Sequence, residues 1–82
     1  MNNYEEIKNE IRKDFKKKST IKRIQNNIDW LKDTNKTEYQ KFYYVVEPSL
    51  CYYNVSNINM SEEDKNQILT QMFEETKCLF NY

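Results

Sequence analysis

Thr37-Glu38-Tyr39-Gln40-Lys41-Phe42-Tyr43-Tyr44-Val45-Val46-Glu47-Pro48-Ser49-Leu50-Cys51-Tyr52-Tyr53-Asn54-Val55 is the stretch on which the fold turns. Phe42 to Val46 has strong strand propensity. Paired with Leu50 to Val55, it would close a β-hairpin at Pro48-Ser49. Two observations favour a helix instead. Tyr39, Phe42, Tyr43 and Val46 recur at +3, +1 and +3 and share one helical stripe. Thr37 followed by Gln40 is a capping box, and Pro48 ends the segment it opens. Tight hairpin turns also favour Gly, and the chain has none.

The flanking segments read as helices more directly. Over Asn3 to Lys17, Tyr4, Ile7, Ile11 and Phe15 recur at +3, +4 and +4, with Asn3 as cap and Glu6 as its partner. Ser19-Thr20 punctuates the chain and caps a second helix, Thr20 to Lys32, with the stripe Ile21, Ile24, Ile28 and Leu31. The stripe changes phase between these segments, which favours two helices over one rod. Ser61 followed by Glu62, Glu63 and Asp64 is a helix start with acids in the first turn. That last helix runs to about Leu79 or Phe80 with a wide apolar face. The expected fold is therefore all-α, a small bundle of about four helices forming a single domain over 1–82. The alternative is α+β: two N-terminal helices, a β-hairpin around Pro48 and a C-terminal helix. The expected core is Ile7, Ile11, Phe15, Ile21, Ile24, Ile28, Leu31, Phe42, Tyr43, Val46, Ile68, Met72, Phe73 and Leu79, with Cys51 also inside.

Composition narrows the chemistry. The chain has 82 residues, 13 basic and 13 acidic, no His and no Gly. Without His, Ser–His and Cys–His nucleophiles do not arise. Without Gly, a phosphate loop lacks the residue that lets backbone approach phosphate closely. Two cysteines are too few for a structural zinc site. The acidic pairs Glu5-Glu6, Glu62-Glu63 and Glu74-Glu75 stand where helix ends and solvent faces expect them. No enzymatic activity, cofactor or metal is expected. No apolar stretch is long enough to cross a membrane, and the polar N-terminus is unlike a signal peptide, so the expected location is cytoplasmic. Lys, Asn, Ile, Tyr and Phe make up 40 of the residues, which suggests an AT-rich genome such as that of a phage or other mobile element.

Two surfaces remain as binding candidates. Twelve aromatic residues are many for so short a chain. Trp30 lies about 180° from the start of the second helix's apolar stripe, beside Arg23 and Asn27. Trp, Tyr and Arg are the residues enriched at binding hot spots. The expected partner site is Trp30, Arg23, Asn27, Tyr44 and Tyr53. It suits a non-enzymatic protein-binding module, for example an inhibitor of a host or defence protein of the anti-CRISPR kind. The second candidate follows from charge. Residues 1–36 carry 10 basic and 6 acidic side chains, and residues 37–82 carry 3 and 7. A basic face from Lys8 to Arg23, with Arg12, Lys13, Lys16 and Lys17 at its centre, would suit nucleic-acid phosphates. The same charge asymmetry would allow a head-to-tail homodimer, and dimerisation would support so small a core.

Overall fold

The computed structural model describes residues 3–32, 34–53 and 60–80. Four α-helices follow in order: α1 (Asn3–Asp14), α2 (Lys18–Asp29), α3 (Glu38–Val46) and α4 (Glu62–Thr76). A 3₁₀ helix, Glu47–Tyr52, continues from α3, and another, Lys77–Phe80, continues from α4. The fold is all-α, with no strand among the described residues. The hairpin does not form. Phe42 to Val46 lies within α3, and Leu50 to Tyr52 lies in the 3₁₀ helix that Pro48 helps to open. Asn54 and Val55 lie outside the described residues, as does the side chain of the expected cap Asn3.

The helix boundaries follow from the local chemistry. With no Gly to supply a left-handed cap, α1 ends by tightening. Lys16 and Lys17 donate backbone bonds to Lys13 and Asp14 at 3.3 and 3.0 Å, three residues back, where an α-helix reaches four. Lys17 then turns extended (φ −84°, ψ 126°) and α2 begins at Lys18, two residues earlier than Ser19-Thr20 capping predicts. Thr20 is turned inward instead. Its hydroxyl donates to Asp14 Oδ1 at 3.1 Å, so it joins two helices where it was expected to start one. The α3 start is the expected capping box: Gln40 N–H donates to Thr37 Oγ1 at 3.1 Å, and Thr37 N–H donates to Gln40 Oε1 at 2.9 Å. At α4, Ser61 Oγ accepts from Asp64 N–H at 3.2 Å.

The buried apolar side chains form one cluster. The α1 face (Ile7, Ile11, Phe15) meets the α2 face (Ile24, Ile28), Phe42 and Val46 of α3, and Ile68, Leu69, Met72 and Phe73 of α4. Four rings knit the centre. Phe42 packs edge-on against Phe15 and Phe73, with centroids at 6.3 and 5.4 Å, and Phe80 closes on Phe15 and Phe42 at 5.8 and 5.9 Å. Edge-to-face pairs at these distances add about 0.5–1.5 kcal/mol each beyond the area they bury.

The core departs from expectation at its edges. Ile21, Leu31 and Tyr43 are only half-buried, while Leu50, Tyr53, Leu69 and Phe80 join the interior. Leu79 is 45% exposed and Phe80 1%. After Thr76 the chain tightens into a 3₁₀ turn, so the α-helical phase that points both residues inward is not carried through. Cys51, expected inside, is exposed on the 3₁₀ helix, and its thiol donates to the Pro48 carbonyl.

Candidate protein-docking surface

Trp30 ends α2. Its backbone is still helical (φ −63°, ψ −22°) and its N–H donates to Asn26 O at 3.2 Å. From there the chain turns away through three-residue backbone bonds, Leu31 N–H to Ile28 O and Lys32 N–H to Asp29 O. The indole sits on the ridge opposite Ile24 and Ile28 and is 87% exposed. Tyr44 projects from the solvent side of α3 and is 61% exposed. The core stripe of α3 takes Phe42 and Val46, which leaves Tyr44 and Val45 between the buried face and solvent.

These two rings come together because α2 packs on α3. Trp30, Asn27 and Leu31 of the α2 end, with Tyr44 and Val45, line a shallow groove of about 330 Å³. Lys36 Nζ lies 5.3 Å from the Tyr44 ring centroid, a cation–π contact at the rim. The groove thus offers an indole, a phenol, two half-buried aliphatics and one amide. Among the described residues it is lined by no charged pair that a partner would have to desolvate.

Arg23 and Tyr53 do not belong to this groove. Arg23 is exposed on α2, one turn before Asn27, and its charge is felt by the Tyr53 hydroxyl. Tyr53 is 8% exposed, and its hydroxyl donates to Asp14 Oδ2 at 3.4 Å. Burial first, and the Asp14 charge second, push the Tyr53 phenol well above its ordinary value. As a binding residue it is withdrawn, because its ring fills the gap between the end of α1 and the 3₁₀ helix. The exposed ring of that pair is Tyr52, at 84%.

The basic face is only partly available. Arg12 is half-exposed but already engaged: Nε and Nη2 donate to the two oxygens of Glu75 at 2.9 and 2.8 Å, and Nη1 donates to Asn9 at 2.7 Å. The bidentate pair, with Gln71 also donating to it, holds the Glu75 carboxyl down to about 2. Lys8 is buried and bridges Glu5 (2.7 Å) and Gln71 (2.8 Å). The Lys8–Gln71 and Arg12–Glu75 contacts form a seam of matched spacing, so α1 and α4 run side by side in the same direction. The four-residue step from Lys8 to Arg12 mirrors the step from Gln71 to Glu75, a correspondence visible in the sequence only once the two helices are paired. Lys13 and Lys17 are exposed and pair loosely with Glu10 and Asp14 at 3.9 and 3.8 Å. Lys16 is exposed and in no ion pair among the described residues.

No family model, curated protein or solved structure matches the chain. Among the described residues, no group of three or more acidic or cysteine side chains is placed to hold a metal ion. No helix among them is long and apolar enough to cross a membrane.

Proposed function

We propose that the protein is a non-enzymatic binding module that captures a protein partner through the groove between Trp30 and Tyr44. The observation that carries this reading is the 87% exposure of the lone tryptophan beside a second exposed ring. Large rings are rarely left in water, and Trp and Tyr dominate interface hot spots. The aromatic rim of the groove suits a protein surface that brings its own socket. Inhibition of a host or defence protein in the cytoplasm, as by a product of a phage or mobile element, is the use that best fits a small chain of this AT-rich composition.

Trp30 is its own reporter. On binding, its emission should shift to the blue as the indole leaves water. Trp30→Ala should weaken affinity for a purified partner by at least about 30-fold, the effect of a hot spot worth about 2 kcal/mol. It should leave the melting temperature unchanged, because the ring touches little of the core. A variant that binds as tightly as the parent would refute the assignment.

A further inference from the structure

A second groove lies on the opposite flank of α2, where the start of that helix meets the C-terminal 3₁₀ helix. It measures about 460 Å³. Its floor is apolar, made by Phe15, Ile21 and the half-exposed Leu79. Its rim carries Lys16, Lys18 and Lys22, all exposed, with no acidic side chain lining it among the described residues. None of the three lysines forms an ion pair among those residues, unlike Lys8, Lys13, Lys17, Lys65 and Lys77. Gln25 also lines the groove. Its amide nitrogen donates to Asp29 at 3.0 Å, while its Oε1 is buried with no hydrogen-bond donor among the described residues. A buried acceptor without a partner is costly and stands out in a folded protein.

We propose that this groove docks an acidic peptide segment carrying an aliphatic side chain. The chemistry on the page selects that occupant by complementarity. Three unpaired ammonium groups call for carboxylates, which would also lessen their mutual repulsion. The floor calls for an aliphatic anchor in place of a fully polar chain. Nucleic acid fits less well. The floor's one ring, Phe15, is 5% exposed and presents no face for a base to stack on. Lysine also lacks the planar fork with which arginine grips phosphate. The proposal is independent of the Trp30 groove and stands or falls without it.

The test is an NMR titration of the intact chain, following backbone amides, with the peptide acetyl-Glu-Leu-Glu-Glu-Leu-Glu-amide. The controls are the same peptide with Ser for both Leu, and an oligothymidylate of equal charge. Saturable shifts should centre on Ile21, Lys22, Gln25 and Leu79. Binding should weaken at least about tenfold with the Ser peptide, and likewise in Lys22→Glu, where one rim charge is reversed. Lys22 is exposed, so Lys22→Glu folds, which the retained dispersion of the spectra checks. Shifts that do not saturate at millimolar peptide, equal binding of the Ser peptide, or tighter binding of the oligonucleotide would each overturn the proposal.

Discussion

Phe80→Ala and Leu79→Ala, compared side by side, test the end of the fold most sharply. Phe80 is 1% exposed and packs against Phe15 and Phe42, whereas Leu79 is 45% exposed. Truncating a buried Phe to Ala costs about 3–5 kcal/mol, because the void left behind only partly collapses. Full burial of a Leu is worth about 1.5–3 kcal/mol, so a side chain roughly half in water should cost only about 1 kcal/mol. For a chain of 82 residues, total stability at about 0.05–0.15 kcal/mol per residue is of the order of 4–12 kcal/mol. The Phe80 variant therefore sits close to unfolding, while the Leu79 variant does not. At about 4–8 °C per kcal/mol for a domain of this size, the melting temperature should fall by at least about 12 °C in the first and about 4–8 °C in the second. The assay is thermal and urea unfolding followed by far-UV circular dichroism. Tryptophan emission would serve poorly, since Trp30 is exposed before unfolding begins. Equal losses, or a larger loss at Leu79, would mean that the turn over Lys77–Phe80 does not place Phe80 in the core, and would sink the packing account.

Two further outcomes follow from the seam and the caps. The Glu75 carboxyl, held at about 2 against an ordinary 4.5, contributes stability above the unfolded value and loses it as pH falls from about 4.5 towards 2; Arg12→Leu should flatten that acid limb of the urea midpoint against pH, though the half-exposed pair is screened and its share is modest. Thr37→Ala removes the capping box of α3 and should cost about 0.5–2 kcal/mol in urea unfolding, with Thr37→Ser restoring most of it.

What could be read from the sequence is what repeats locally. The stripes Ile7-Ile11-Phe15, Ile24-Ile28 and Phe42-Val46 place three helices against a core, and Thr37 and Ser61 mark two helix starts as caps should. Even the ambiguous aromatic run resolves as its period indicates: Phe42 and Val46 are buried while Tyr44 between them is exposed, whereas a strand would put all three on one face. What could not be read depends on partners far away in the chain. Arg12 belongs to a basic run in sequence, yet its guanidinium is taken by a carboxylate 63 residues on. Tyr53 reads as a spare ring until Asp14, 39 residues back, is seen to hold its hydroxyl. Of the expected partner residues, Trp30, Asn27 and Tyr44 share one groove because α2 packs on α3. No spacing rule within a single helix reports that contact. Leu79 and Phe80 exchange roles because a helix changes pitch in its last turn, a step that periodicity at a fixed angle does not register.

The parallel seam between the first helix and the last also bears on how the chain is made. Ile7, Ile11 and Phe15 are made before the residues that cover them, which lie on α4 and at Phe80. At roughly 5–20 residues per second, the apolar face of α1 waits about 3–15 s for that cover. During that interval Lys8 and Arg12 have only Glu5 and Asn9 of their own helix as partners. Cover of α1 therefore waits on contacts made 63 residues apart in the chain, the kind of long-range closure that slows folding.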